Sequence, residues 1–237
     1  MKKLALVDFR ISNEELNSLK NLNCEILKCP PSNNLYKAVC GHPDMLIHII
    51  SKTQLMIHPN TDKQFINLLQ DKYKFTIIKS KKNLIDKYPY DIFLNGVNLK
   101  NYFIHNLKYT DENLLSYVKH KKLIDVKQGY TKCSVAIVND NALITSDKSI
   151  YNKLKNEDMD VLLLPPGDIN LPFLDYGFIG GTCGLLDKTT MVFYGSLDNY
   201  KYGDLVLNFL EKYNVKPIYL SNSKLVDRGS IFFLDII

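Results

Sequence analysis

Apolar and polar positions along the chain repeat one order of elements four times. From Met45, two apolar segments of strand length are followed by a segment with the spacing of an amphipathic helix, and then by a third apolar segment. This pattern predicts the order β-β-α-β. The same order starts again near Asp91, Cys133 and Phe178. A recurring period of this kind is typical of a repeat architecture.

A helix-capping residue follows the second strand of every unit. Its side chain can accept hydrogen bonds from the free amides of the first helical turn. The candidate caps are Asn60, Thr61 or Asp62 in the first unit, Thr110 or Asp111 in the second, Ser146 or Asp147 in the third, and Asp198 in the fourth. The agreement among the units supports the repeat.

Two segments remain at the ends of the chain. Residues 3–29 contain two predicted strands around a helix capped by Ser12 or Asn13, and the C-terminus adds one more strand, 230–236. If this strand pairs with strand 3–9, the two segments form a fifth unit and no sheet edge stays exposed. The sequence therefore predicts a five-bladed α/β propeller of five β-β-α-β units, the fifth closed by the N- and C-terminal strands.

The composition agrees with one domain over residues 1–237. Apolar residues make up 46% of the chain and charged residues 23%, which is typical of a globular protein with a full core. No apolar stretch approaches the ~18 residues that a membrane span needs. The short apolar run after the first lysines meets Asp8 and Arg10 before it reaches signal-peptide length. We expect a soluble cytoplasmic protein.

Charge and cysteine content exclude further classes. The formal net charge is +5, but the basic residues are lysines except for Arg10 and Arg228. Proteins that read bases rely on arginine, so nucleic acid is not predicted as the main ligand. The five cysteines form no CxxC pair and no zinc-finger spacing, so we predict no disulfide framework, no metal site and no cofactor.

Four short segments, CGHPDM, QGYTKCS, GFIGGTCG and DRGSIFF, resemble those of a bacterial family assigned to the penteins, the superfamily of guanidino-group-modifying enzymes. Its members include arginine deiminase, agmatine deiminase and dimethylarginine dimethylaminohydrolase. The five predicted units, with the fifth divided between the termini, also resemble the pentein fold. The resemblance implies an active site at the end of the axis where the links between units meet. These links are residues 29–44, 80–91, 127–132, 165–178 and 221–229.

The resemblance also implies amidinohydrolase or amidinotransferase chemistry. In that chemistry a cysteine thiolate attacks the guanidinium carbon, carboxylates hold the cation and a histidine moves protons. The enzymes carry the cysteine in the closing strand and the histidine at the entry of a middle repeat. Here Phe232 or Ser230 stands in the first place and Tyr130 in the second. Both departures leave open whether the chain is an active enzyme.

Cys133 and Cys183 occupy matching positions at the starts of the third and fourth units. Each is either a small buried core residue or a displaced nucleophile. Cys133 is the preferred nucleophile because Lys132 precedes it, and a nearby cation lowers the pKa of a thiol. Tyr130 is close in sequence and is predicted to contact the ligand together with Lys132.

His42 and Asp44 stand just before the first strand of their unit. In an extended segment, residues two apart point the same way, so both would face the axial cavity, His42 as proton shuttle and Asp44 as the carboxylate for a cation. The alternative is a turn fixed by Pro43. The other histidines lie in predicted strands and helices, and we interpret them as structural.

Arg228 precedes the closing strand. It is either a bidentate anchor for a carboxylate or phosphate, or the partner of an acid such as Asp227 or Asp168. Further predicted ligand contacts are Asn95, Asp168, Gly180, Gly181 and Cys183; the glycines allow close approach of a ligand. We expect Asp44 and Arg228 to line one cavity with Cys133 at its floor.

Three hypotheses for function follow. The first is an enzyme, or a relative of one, whose axial pocket takes a small cationic, guanidino or amino-acid-like ligand. The second is a noncatalytic binding module, similar to the pentein-fold initiation factor that binds the large ribosomal subunit. The third is a sensor that binds a metabolite without turning it over. The expected partner is a small molecule, and the oligomeric state stays open.

Overall fold

Five three-stranded sheets make up the β structure. A computed structural model describes residues 2–236. In it, the middle strand of each sheet pairs antiparallel with one neighbour and parallel with the other. A helix connects the two parallel strands of each sheet. The chain therefore has a mixed α/β fold built from β-β-α-β units, as the hydrophobic pattern predicts.

The bounds of the helices and strands follow the units along the chain. The terminal unit begins with β1 (Lys2–Asp8), α1 (Asn13–Asn21) and β2 (Cys24–Cys29). The first internal unit contains α2 (Pro43–Leu46), β3 (Ile47–Ile49), β4 (Gln54–Ile57), α3 (Lys63–Asn67) and β5 (Thr76–Lys79), and the second contains β6 (Val97–Asn98), β7 (Tyr102–His105), α4 (Glu112–Val118) and β8 (Lys122–Asp125). The third contains α5 (Thr131–Ser134), β9 (Val135–Asn139), β10 (Ala142–Thr145), α6 (Lys148–Leu154) and β11 (Asp160–Leu163). The fourth contains β12 (Cys183–Asp187), β13 (Thr190–Phe193), α7 (Gly203–Lys212) and β14 (Lys216–Tyr219), and β15 (Phe232–Ile236) completes the terminal unit.

The predicted pairing of the two chain ends is confirmed. Strand β15 runs antiparallel to β1, with Lys2 opposite Ile236 and Leu6 opposite Phe232, and β1 runs parallel to β2 on its other side. Residues 4–7 of β1 are fully buried. A strand that is buried on both faces has apolar residues at every position, which explains the sequence LALV at residues 4–7.

Four of the five predicted helix caps are confirmed. Asp62, Asp111 and Asp147 accept backbone N–H groups at the starts of α3, α4 and α6, and Ser12 forms a capping box with Glu15 in α1. The fourth unit differs from the prediction. Asp198 caps no α-helix: Ser196 accepts the Asp198 N–H at the start of a separate 3₁₀ turn, Leu197–Asn199. Helix α7 starts four residues later without a side-chain cap.

The first strand of each internal unit starts later than its apolar run predicts. Single helical turns, α2, α5 and the 3₁₀ turn Ile179–Thr182, occupy the starts of the first, third and fourth units. Pro43 at the first position of α2 favours such a turn because its fixed φ suits a helix start. The polar residues of these starts therefore lie in turns rather than in extended strands.

Five apolar clusters join neighbouring units. Their buried members include Leu4 and Ile47 between the terminal and first units, Met56 and Phe103 between the first and second, Val97 and Leu143 between the second and third, Ala136 and Met191 between the third and fourth, and Val192 and Ala5 between the fourth and terminal units. The clusters thus connect the units in cyclic order. Among residues 2–236, no helix has the length and apolar character to cross a membrane.

Candidate functional site

The starts of all five units meet in one hydrogen-bonded group. Ser230 Oγ, just before β15, lies 2.8 Å from Asp44 Oδ2 and 2.8 Å from the Gly180 carbonyl oxygen. The Lys132 ammonium donates to Ser230 Oγ at 2.8 Å. A hydroxyl has one hydrogen, so Ser230 donates to one of its two acceptors at a time while it accepts from Lys132.

Asn95 connects the second unit to this group. Its Nδ2 donates to the Asp44 carbonyl oxygen at 2.9 Å and lies 3.2 Å from Cys133 Sγ. Its Oδ1 accepts from the backbone N–H of Lys132 at 2.8 Å. Asn95 is fully buried, so these bonds replace water for every polar atom of its side chain. The predicted contact residue therefore holds the first and third units together.

Cys133 lies at the centre of the group as a protonated thiol. Its Sγ donates to Asp44 Oδ1 at 3.2 Å, and its side chain is buried. Burial raises the pKa of the thiol well above its usual range, and the carboxylates of Asp44 and Asp227 raise it further. The expectation that Lys132 lowers this pKa is wrong, because the ammonium lies on Ser230.

A cavity of about 260 Å³ opens above this group, and we name it the link-end cavity. Four of the five predicted links supply its walls: 29–44, 127–132, 165–178 and 221–229. Its lining residues are Tyr36, Val39, His42, Tyr130, Cys133, Leu171, Leu174, Asp175, Tyr176, Phe178 and Asp227. Aromatic and aliphatic side chains thus form the walls, and polar groups gather at a few points.

His42 lines this cavity with both ring nitrogens unpartnered. Its Nε2 is 3.9 Å from Asp8 Oδ2, its Nδ1 is 3.8 Å from Asp227 Oδ1, and its side chain is 1% exposed. Gly229, with φ at +70°, packs directly on the ring side: a Cβ there would lie 2.2 Å from the His42 Cβ. Buried polar atoms without partners are rare in folded proteins and point to a functional role.

Asp227 is a residue that the sequence suggested only as a partner for Arg228. Its carboxylate accepts the Phe178 N–H at 2.8 Å and the Gly229 N–H at 3.0 Å. Burial raises its pKa, while His42 opposes that rise. A Cβ on Gly181 would lie 1.9 Å from Asp227 Oδ1, so this predicted contact residue acts by making room for the carboxylate. The signal in the sequence is the Asp-x-Gly turn at 227–229. Gly181 lies beside this turn only in the fold.

Asp8 and Arg10 lie behind His42. The Arg10 guanidinium donates to both oxygens of Asp8, at 2.9 Å from Nε and 2.5 Å from one terminal nitrogen. It also donates to the carbonyl oxygens of Lys37 and Ala38. Asp8 is fully buried, so the arginine both neutralises it and fixes the 29–44 link that carries His42.

Tyr130 forms part of the cavity wall as a neutral phenol. Its hydroxyl donates to Asp91 Oδ2 at 2.6 Å and accepts from the Tyr36 hydroxyl at 3.4 Å. Burial raises the pKa of Tyr130 far above its usual range, and the Asp91 carboxylate adds to the rise. Tyr130 therefore orders this wall and carries no charge.

Asp44 and Lys132, the last residues of two links, line a second cavity of about 160 Å³, which shares no lining residue with the link-end cavity. The expectation that His42 and Asp44 face one cavity assumed extended backbone, but α2 is a helical turn. His42 is the extended residue before α2, whereas Asp44 lies inside the turn, so the strand rule that aligns residues two apart does not hold and the two side chains diverge. His42 reaches the link-end cavity and Asp44 reaches the group of unit starts behind it.

Three predicted contact residues lie elsewhere. Arg228 contacts Glu15, 3.3 Å from each carboxylate oxygen, and the Arg10 carbonyl oxygen at 3.2 Å, and it lines neither cavity. Asp168 accepts from the Lys224 ammonium at 3.0 Å near the surface. Cys183 is buried, with its sulfur 3.6 Å from the Ile179 carbonyl oxygen. Each of these three side chains contacts its own neighbours.

Gly180 is also a packing residue. It lies against the backbone of the third unit, since a Cβ there would lie 2.3 Å from the Val135 carbonyl oxygen.

The fold is that of the pentein guanidino-modifying enzymes. Agmatine deiminase of C. jejuni with bound substrate superposes with a TM-score of 0.57 at 13% identity, over 98% of this chain and 92% of that one. DDAH from Pseudomonas aeruginosa with citrulline gives 0.56 at 10% identity, over 93% and 92%. Inosamine-phosphate amidinotransferase from Streptomyces griseus gives 0.57 at 10% identity, over 94% and 79%. These likenesses confirm the predicted relation to the superfamily at the level of the fold.

The chain belongs to a family of unknown function, DUF6873, whose model matches residues 6–232. No curated protein matches the chain in sequence at a significant level. The family assignment thus covers almost the whole chain and leaves its activity to be argued from the site.

Proposed function

We infer that the five sheets are the blades of a five-bladed α/β propeller. Two features support this arrangement. The apolar clusters connect the units in cyclic order, and the starts of all five units meet in one group around Ser230. The pairing of β15 with β1 also completes the three strands of the terminal unit. The link-end cavity then lies on the axis of the propeller.

We propose that the link-end cavity binds a small organic cation with a guanidino or amino head. The observation that carries this proposal is the charge of its lining. Among the described residues, the lining holds two carboxylates, Asp227 and Asp175, and no lysine or arginine. The aromatic faces of Tyr36, Tyr176 and Phe178 complete a setting that attracts cations, because their π-systems are electron-rich.

The floor of the cavity has unused hydrogen-bonding capacity that suits such a head. Asp227 accepts two backbone N–H groups and has lone pairs left, since each carboxylate offers about four acceptor positions. His42 has two ring nitrogens without partners. A guanidinium presents several N–H donors in one plane, so it can bond to Asp227 and to an unprotonated His42 nitrogen together. Charge-assisted bonds of this kind are the strong ones.

Titration calorimetry with butylguanidinium tests the binding. Wild-type protein should bind it, and Asp227→Asn should weaken binding roughly 10- to 100-fold, the effect of losing a charged hydrogen bond in a buried site. Asp168→Asn is the matched control, because Asp168 lies outside the cavity, and it should leave the affinity unchanged. Thermal unfolding verifies that each variant is folded. Absence of binding to the wild type, or equal affinity for folded Asp227→Asn, would overturn the proposal.

Hydrolysis of the guanidinium is the second candidate function. It is favoured by the presence of Cys133 and His42 in one cavity. In this reaction the Cys133 thiol gives its proton to His42 while its sulfur adds to the guanidinium carbon. A C–N bond then breaks, and ammonia leaves with the proton from His42. Water finally displaces the sulfur, which regenerates the Cys133 thiol and gives a ureido product. The raised pKa of Cys133 opposes formation of the thiolate, so we place binding without turnover first.

Ammonia release distinguishes the two functions. In an enzyme, Cys133→Ala should abolish release of ammonia from butylguanidinium and retain binding. Cys183→Ala, which changes a buried cysteine outside the cavity, should keep both. In a binding protein, the wild type releases no ammonia and Cys133→Ala binds as the wild type does.

Five free cysteines fit a reducing compartment, and we propose a cytoplasmic location with a small molecule as partner.

A further inference from the structure

Two acidic groups lie at different depths of the link-end cavity. Asp227 is buried at its floor, and Asp175 is exposed on the 165–178 link. The walls are largely apolar and include Val39, Leu171 and Leu174. A ligand that reaches from floor to mouth thus has a carboxylate at both ends and hydrocarbon surface along its path.

We propose that the ligand carries a positive charge at both ends and no carboxylate, and that Asp175 selects for the second charge. This inference rests on the proposed function, because Asp227 must hold the first cationic head. A cation at the mouth gains from Asp175, whereas a carboxylate there meets a like charge. Ligands with the same cationic head are then distinguished by the group at their other end.

Among the described residues, the lining offers no lysine or arginine charge to balance a ligand carboxylate. A bound carboxylate normally pairs with arginine or lysine, and neither residue lines the cavity within the described part of the chain. Lys37, on the 29–44 link, directs its ammonium over the Phe173 ring, 4.3 Å from the ring centroid. Its charge is thus placed on an aromatic face rather than in the cavity.

Exposed apolar side chains on the same link as Asp175 suit a ligand with a hydrocarbon chain. Phe173, Leu174 and Tyr176 are 63%, 48% and 45% exposed, and two of the three line the cavity. Apolar side chains left in water gain free energy when methylene groups cover them. A flexible alkyl chain between two cationic groups covers this surface and brings its second charge to Asp175.

Three ligands of equal chain length test the inference: butylguanidinium, 4-aminobutylguanidine and 4-guanidinobutanoate. They end in a methyl group, an ammonium and a carboxylate, respectively. In low-salt titration calorimetry, the dication should bind roughly three- to fivefold more tightly than the monocation, as expected for an exposed ion pair. The zwitterion should bind more weakly than the monocation by a similar factor. Salt should reduce both differences.

Asp175→Asn is the decisive variant. It should make the dication and the monocation bind alike. Asp86→Asn, an exposed acid on another link, is the matched control and should preserve the wild-type order. Lys37→Met should also preserve that order. Weaker zwitterion binding in Lys37→Met would overturn the inference, because Lys37 would then bind the carboxylate.

The outcomes separate this inference from the proposed function. If the monocation binds and the dication binds no more tightly, Asp175 has no selective role and only the inference fails. If folded Asp175→Asn keeps the preference for the dication, the inference fails in the same way. If none of the three ligands binds to the wild type, the proposed function and the inference fail together.

Discussion

His105 and His42 are equally buried, yet their surroundings are opposite. At the end of β7, His105 Nδ1 lies 2.7 Å from Thr110 Oγ1 and its Nε2 lies 3.1 Å from the Gly129 carbonyl oxygen. At the floor of the link-end cavity, the His42 ring nitrogens have no hydrogen bond, and two carboxylates lie nearly 4 Å from them. The His105 ring is thus satisfied by its neighbours, whereas both ring nitrogens of His42 keep their bonding capacity.

The two candidate cysteines show a similar contrast. Cys183 is buried with its sulfur near a single carbonyl oxygen, and burial raises its pKa to about 11. Cys133 contacts the side chains of Asp44 and Asn95 and also lines the link-end cavity. The predicted match of the two cysteines in the repeat is wrong by two residues. Cys183 pairs with the last residue of β13, whereas Val135, and not Cys133, pairs with the last residue of β10. Cys133 lies in the helical turn α5, which brings it to the group of unit starts, whereas Cys183 is the first residue of a strand.

The largest expected effect compares the two histidines directly. His105→Ala should lower the free energy of unfolding by about 3 kcal/mol, because it leaves a buried space and removes two hydrogen bonds. His42→Ala should cost less than half as much, since it breaks no hydrogen bond and opens into an existing cavity. Urea unfolding of both variants measures the difference. Equal losses would show that His42 is as structural as His105.

The pH dependence of stability should come from the histidines in the sheets. Burial lowers the pKa of His48 to about 4, of His58 to about 4 and of His105 to about 3, from an ordinary value of 6.5. At a pH between the lowered pKa values and 6.5, the unfolded chain binds more protons than the folded chain. The free energy of unfolding therefore falls as the pH is lowered from about 6.5 toward 4, by up to about 1.4 kcal/mol per pH unit for each histidine.

Urea unfolding between pH 7.5 and pH 5 measures this slope. His105→Gln removes one of the three groups and should make the slope shallower than in the wild type. His120→Gln, which changes an exposed histidine in the turn after α4, is the matched control and should leave the slope unchanged. A wild-type stability that stays constant over this range would contradict the assignment of buried, neutral histidines.

The repeat could be predicted from the sequence because its signals are local. Strand-length apolar runs and the caps Asp62, Asp111 and Asp147 lie within a few residues of the structure that they specify. The pairing of β1 with β15 joins the two chain ends, but it followed from counting strands in each unit. The short first strands were missed, since an apolar run does not reveal that its first residues form a turn, and the start of α7 was also placed too early.

The site could be predicted only in part because it depends on orientation. The links that form the cavity were identified, as were Cys133, His42 and Tyr130 among its lining. Asp227 was missed as a cavity residue because its role depends on packing against Gly181 and His42, which are distant in sequence. The direction of Asp44 was mistaken because a helical turn replaced the extended backbone.

The smallest expected effect on ligand binding concerns Arg228, the second arginine of the chain. Its guanidinium contacts Glu15 of α1 and the Arg10 carbonyl oxygen, and it lies 5.8 Å from the centroid of the Tyr194 ring. It is thus a satisfied group, like His105. Arg228→Gln should lower the free energy of unfolding by about 1 to 2 kcal/mol, because the buried Glu15 loses its charged partner.

The same variant should bind butylguanidinium within about twofold of the wild type. A tenfold or larger change in the affinity of folded Arg228→Gln for butylguanidinium would place the arginine in the ligand site. Arg228 would then be both hydrogen-bonded within the protein and in contact with the ligand, unlike His105. Glu15→Gln is the matched control, since it disrupts the same ion pair from the other side. If the pair is only structural, both variants should lose similar stability and keep the affinity, because neither side chain lines the cavity.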